Sequence, residues 1–170
     1  DTAKVKLDPK THRLQRAGVE NIITPFDEHA LEAALALRDA HGGTVIVLTM
    51  GPPQAEAVLR ESIARGADRA VLVTDRAFGG ADTLATSYTL AGAIRRLGGA
   101  DVILCGKQAI DGDTAQVGPQ IAEMLDMPQV TAVNRLALAD GELTVTREHE
   151  DGYETLRVPT PALLTVTKNL

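Results

Sequence analysis

Aromatic side chains are nearly missing from this chain, which has two Phe, two Tyr and no Trp among 170 residues. Its core must therefore be aliphatic, built from Ala, Val, Leu and Ile, a composition that suits parallel strands buried on both faces. No Lys/Arg run with interleaved aromatics occurs, and a formal net charge of −6 argues against a nucleic-acid surface. The single cysteine, Cys105, excludes an internal disulfide and fits a reducing compartment. No apolar run reaches the length of a membrane span, and the first residues are charged rather than signal-like. A soluble, cytoplasmic protein of one compact domain is the expectation.

What is present alternates. Val5 and Leu7, then Asp8-Pro9-Lys10-Thr11 and Leu14, read as a small hairpin. Thr24-Pro25-Phe26-Asp27 reads as a helix start, with Thr24 as N-cap, Pro25 in the first position and Asp27 closing a capping box. Leu31 and Leu35 continue that helix until Gly42-Gly43. The β-branched runs 44–49 (TVIVLT), 70–74 (AVLVT) and 101–105 (DVILC) are buried-strand signals. Between them lie helical patterns opened by Pro52-Pro53 and by Asp82, and a further helix is expected from Thr114 to the residues before Pro128. Strand and helix in alternation predict a parallel sheet covered on both faces. The tail differs: Leu136 and Leu138, Asp140-Gly141, then Leu143 and Val145 predict an antiparallel hairpin, with strand candidates at 153–158 and 162–166.

In such a sheet ligands bind beyond the carboxyl ends of the strands. Four places qualify: Thr24–Asp27, Thr49–Pro52, Phe78–Thr83, and the loop 106–114. The last is the best placed, because it follows a strand, carries two glycines and leads into a helix whose open N–H groups could hold phosphate. An ordinary solvated connection explains it about equally well. Asp111 and Asp113 weigh against an anion unless they cap the helix or point away. Neither a G-x-x-x-x-G-K-[ST] loop nor a G-x-G-x-x-G fingerprint is present. His12, His29, His41 and His149 have no metal-ligand spacing, so no metal site is expected. Cys105 reads as a buried inert thiol, and Glu148, Glu150 and Asp151 as a solvated hairpin edge rather than paired catalytic acids. From the residues alone this is a nucleotide-binding α/β domain with no catalytic constellation.

The run Gly106-Lys107-Gln108-Ala109-Ile110-Asp111-Gly112-Asp113-Thr114-Ala115-Gln116-Val117-Gly118, followed by Met127-Pro128-Gln129, resembles the signature stretch of electron transfer flavoprotein beta subunits. The stretch 21–34 (NIITPFDEHALEAA), Met50-Gly51-Pro52-Pro53-Gln54, Arg65-Gly66-Ala67-Asp68 and Asp151-Gly152-Tyr153-Glu154 match in order, so the resemblance covers essentially the whole chain. It implies a doubly wound, mostly parallel adenine-nucleotide-binding fold related to the universal stress proteins, with an antiparallel C-terminal hairpin. Residues 1–170 would form one such domain, without the family's central first strand ahead of Asp1 and without its C-terminal arm.

The resemblance further implies a heterodimer with an alpha subunit that holds the redox FAD. Electrons would pass between NADH or a dehydrogenase, of the acyl-CoA or another flavin type, and an acceptor. Ordinary members hold AMP in this subunit. A second branch holds FAD there and splits the electrons of NADH between two acceptors (electron bifurcation), and only that type would oxidise NADH. The matching cofactor contacts are Thr24, Pro25, Phe26, Asp27, Met50 and the loop Gly106 to Val117, with backbone amides around Asp113 to Val117 on phosphate. Residues 80–87 (GADTLATS) and 112–116 (GDTAQ) resemble the bifurcating branch more closely. FAD is thus expected here, AMP being the alternative, with Asp82, Thr83 and Thr86 near the second flavin. No catalytic side chain is expected, because the redox chemistry belongs to the cofactor. A stand-alone sensor of the universal stress protein type is the competing reading, but the glycine-rich Gly-Ser phosphate motif it would need is not found.

Overall fold

A computed structural model describes residues 6–7, 14–15 and 21–170. At the N-terminus β1 (Lys6–Leu7) pairs antiparallel with β2 (Leu14–Gln15), as the hairpin reading requires. Val5, the turn residues Asp8 to Thr11, and His12 lie outside the described residues.

Helix α1 (Pro25–His41) starts where its cap chemistry predicts, the Thr24 hydroxyl accepting the Asp27 N–H at 3.2 Å. The capping-box expectation for Asp27 needs correction. Its carboxylate is held by the Thr24 hydroxyl on one oxygen (2.8 Å) and by the Gly106 N–H on the other (2.7 Å), so it ties the helix start to a distant strand end. The chain continues through β3 (Ile46–Met50), a short 3-10 turn, α2 (Glu56–Ala64) and β4 (Arg69–Val73), and β3 and β4 pair in parallel. Arg65-Gly66-Ala67-Asp68 is the clamp of this crossover. Asp68 accepts the Val45 N–H at 2.7 Å and Arg38 at 3.2 Å, and Arg38 also donates to the Gly66 carbonyl. These contacts, the Val45 N–H first, hold the Asp68 carboxyl below its ordinary range.

Helix α3 (Thr83–Arg96) follows, capped by Asp82 on the Ala85 N–H at 2.8 Å. Next come β5 (Val102–Gly106), α4 (Val117–Leu125), β6 (Gln129–Ala139), β7 (Glu142–His149), β8 (Gly152–Pro159) and β9 (Ala162–Val166). Strand β9 inserts parallel between β5 and β6, giving the order β5-β9-β6-β7-β8. The Asp140-Gly141 turn has the positive φ values of a two-residue hairpin, 52° and 78°. The expected hairpin is thus the first part of a three-stranded antiparallel meander.

That meander folds back. Strand β6 runs alongside β9 up to Val133–Val166, yet Gly141 at its far end accepts hydrogen bonds from Thr160, two residues before β9 begins. A straight β6 would carry Gly141 far beyond the reach of that short link. The bend lies at Ala132, in the left-handed region at φ 58°, where the register shifts on both sides of Val133. Val133, Leu143, Val145 and Val158 consequently pack on Ala162, Leu164 and Val166, all in one buried cluster with Ala30 of α1.

The parallel strands are doubly wound. Leu104, Leu164 and Val166 face the α1 side, whereas Ile103, Cys105 and Leu163 face α3 and α4. Although β3–β4 and β5–β9 belong to separate hydrogen-bonded sheets, the helices span both. Leu31 and Leu35 of α1 pack on Val45 and Val47, while Ala30 of the same helix packs on the β9 cluster. Every residue of β9 is buried, whereas every residue of β3 and of β5 is only half-buried. Among the described residues no helix is long and apolar enough to cross a membrane.

Candidate functional site

The C-terminal ends of β3 and β5 and the starts of α1, α3 and α4 gather at one edge. Their assembly depends on close approach. A Cβ on Gly106 would lie 2.7 Å from the Phe26 Cβ and 2.9 Å from the Asp27 nitrogen, so α1 sits directly on the end of β5. A Cβ on Gly118 would lie 2.6 Å from the Thr165 methyl and 2.9 Å from the Cys105 sulfur, so α4 rests directly on β9 and β5. Lys168, just past β9, places its ammonium 5.2 Å from the centre of the Phe26 ring.

Helix α4 starts at Val117, three residues later than Thr114, because the chain between them is not helical. Asp113 and Ala115 have φ of 53° and 54°, and Gln116 follows at φ −105°, ψ −28°. A left-handed residue followed by a right-handed one turns successive N–H groups to one side, a concavity suited to anions. The amides of the loop divide into two sets. Gly106 donates to Asp27, Lys107 to the Val166 carbonyl at 2.9 Å, and Asp113 to the Ala109 carbonyl at 3.0 Å, so these three are engaged within the protein. Among the described residues, the N–H groups of Thr114, Ala115, Gln116 and Val117 meet no protein acceptor, and neither do those of Gln108, Ala109, Ile110 and Gly112, so it is the left-then-right-handed backbone that sets 114–117 apart. The Asp113 carboxylate is taken by the Gln108 side-chain amide, which draws its charge toward the loop's own start.

A polar network joins this turn to α3. The Thr83 hydroxyl donates to Gln116 Oε1 at 3.2 Å, and Gln120 Nε2 donates to the Thr83 hydroxyl at 3.3 Å. Ser87, fully buried, lies 2.9 Å from Gln120 Oε1 and 3.3 Å from the Val117 carbonyl. Of the residues singled out from the sequence, the structure thus brings Phe26 and Asp27 against Gly106, and Thr83 against Gln116. Met50 closes β3 opposite Val73, and Asp82 and Thr86 serve the first turn of α3. Ile110 and Asp111 are exposed on the loop. Sequence reading passed over Ser87, Gln120 and Lys168. Gln120 stands one helical turn beyond Gln116, but its partners are about thirty residues away and no local signal announces them.

Cys105 is inert. Burial, helped by the charge of Asp27, pushes its thiol up to about 12. His29 and His41 lie within α1 and His149 at the end of β7, set apart from one another.

These features define an α/β protein whose loops and helix starts collect at the carboxyl edge of parallel strands. Comparison with known proteins makes the class specific. The electron transfer flavoprotein domain matches residues 11–170. A caffeyl-CoA reductase-Etf complex subunit, CarD, from Acetobacterium woodii is 56% identical over 100% of this chain and 65% of its own length. The electron transfer flavoprotein subunit beta of Clostridium acetobutylicum is 55% identical, again over 100% of this chain and 65% of its own. Protein FixA of Azorhizobium caulinodans is 53% identical over 98% of this chain and 62% of its own. The chain belongs to the electron transfer flavoprotein family, on its beta-subunit side. It spans just under two thirds of the length of these relatives, and the stand-alone sensor reading is not favoured by them.

Proposed function

We propose that this chain is the nucleotide-holding part of the beta subunit of a heterodimeric electron transfer flavoprotein, and that the N–H groups of 114–117 grip the phosphate of an adenylate-containing cofactor. The donor set fits such a group: four neighbouring amides without protein acceptors stand on a left-then-right-handed turn at a helix start. The cofactor in this subunit is FAD. The observation that carries this choice is the meeting of two stretches far apart in sequence, both of which resemble the bifurcating branch. Thr83 of 80–87 bonds Gln116 of the phosphate turn, so a single ligand can lie against both. Two-electron and one-electron redox chemistry is what the flavin supplies when bound. The protein's own residues orient it: 114–117 fix the phosphate, and Thr83 with Gln116 shapes the adjoining wall. Asp27 and Phe26 brace the end of β5 on which the turn stands.

The partners that follow are an alpha subunit carrying a further FAD, NADH, and a dehydrogenase or other acceptor. The domain itself is completed by one more strand. Among the described residues, strands β3 and β5 each keep one edge unpaired, and α1 packs on both sheets at once.

Cofactor counting tests the function. The heterodimer expressed from complete genes should release two FAD per pair and be bleached directly by NADH. One FAD with one AMP per pair would make it an ordinary carrier instead, and a colourless preparation would remove the flavoprotein reading altogether.

A further inference from the structure

Ala115 holds a left-handed backbone without the freedom of glycine or the local hydrogen bonding of asparagine, so the turn 113–117 needs external support. Among the described residues, the side chains that reach it from outside the loop and α4 belong to α3. We propose that Ser87 and Gln120 are positioning residues, which lock the phosphate turn and make the starts of α3 and α4 one rigid cradle. The inference rests on the cofactor reading above.

Ser87 is 0% exposed and cannot itself touch a ligand. A buried helical serine is commonly satisfied by the carbonyl one turn back, and Ser87 has that acceptor in Thr83 at 2.7 Å. Here the same hydroxyl also faces Gln120 Oε1 at 2.9 Å and the Val117 carbonyl at 3.3 Å, both on α4. The amide of Gln120 reaches both ways, with its oxygen toward Ser87 and its nitrogen toward the Thr83 hydroxyl, which donates in turn to Gln116. Just beyond this network α3 and α4 meet through Ala91, Ile94, Ile121 and Ala122, so apolar packing alone would join the helices. What the polar chain adds is direction. It fixes the rotation of α4 about its axis and the orientation of Gln116, hence the aim of the amides of 114–117.

The test compares Ser87→Ala and Gln120→Leu with Ala115→Val, which strikes the turn directly, all in the heterodimer from complete genes. Nucleotide dissociation is measured on dilution, and the melting temperature of the nucleotide-free protein reports structural damage separately. Ser87→Ala and Gln120→Leu should each speed nucleotide loss about tenfold, the order expected when a buried hydrogen-bonded link is cut. Their nucleotide-free melting temperatures should fall by no more than a few degrees, the cost of one buried hydrogen-bonded link. If Ala115→Val loses nucleotide while the other two retain it at the parent rate, Ser87 and Gln120 are structural only, and the cofactor reading survives. If all three retain it at the parent rate, both fall.

Discussion

At the scale of single residues, contact distances decide where glycine is needed. Gly118 has Thr165 and Cys105 within 2.9 Å of where a Cβ would stand, and both belong to strands that cannot retreat. Gly118→Ala should therefore destabilise the protein by about 1–3 kcal/mol, seen as a lower melting temperature, since overpacking a dense core forces backbone movement. Gly112, with nothing near its Cβ position, should accept alanine with little change. Cys105 gives a pH dependence. Its folded pKa stands near 12, above the ordinary 9.0, so the neutral thiol is favoured in the folded state. The stability this contributes is complete below the unfolded pKa and declines as pH rises from about 9 toward 12. Alkylation at neutral pH should accordingly be slow in the native protein and fast only in denaturant. Labelling of native protein at the rate of a free thiol would contradict that burial.

At the scale of elements, the strands wrote themselves plainly into the sequence and the bends did not. TVIVLT, AVLVT and DVILC announce buried parallel strands through β-branched runs, and Thr24-Pro25 announces α1 through its cap. The two left-handed alanines announce nothing, because a turn is normally marked by Gly, Asn or Pro. Ala132 hides the fold-back of β6, so the tail reads as a hairpin with two further strands and not as a meander closing over β9. Ala115 hides the late start of α4, so the helix reads as running from Thr114. Both positions predict the same asymmetry. Ala132→Gly should hold or raise the melting temperature, whereas Ala132→Val should lower it by several degrees, because a β-branched side chain is poorly tolerated at φ 58°. The loop after β5 was legible as a connection between strand and helix, through its glycines and the strand before it. Which of its amides are open was not, since Asp27 and Val166 engage Gly106 and Lys107 from elsewhere in the chain.

At the scale of the whole molecule, β3–β4 and β5–β9 belong to separate hydrogen-bonded sheets, and α1 and α3 pack on both. On the proposed completion, the full-length protein should protect the backbone amides of β3 and β5 from hydrogen exchange as strongly as those of β9, which is already enclosed. Fast exchange on the inner edges of β3 and β5 in the intact heterodimer would mean that no strand lies between them. The same technique bears on the central claim, that open amides after β5 carry the cofactor phosphate. Exchange should be compared in the heterodimer with its nucleotides and after their removal. The peptide covering 113–117 is expected to show the largest loss of protection on removal. Equal exchange of that peptide in both states, with the change confined to other loops, would contradict the account.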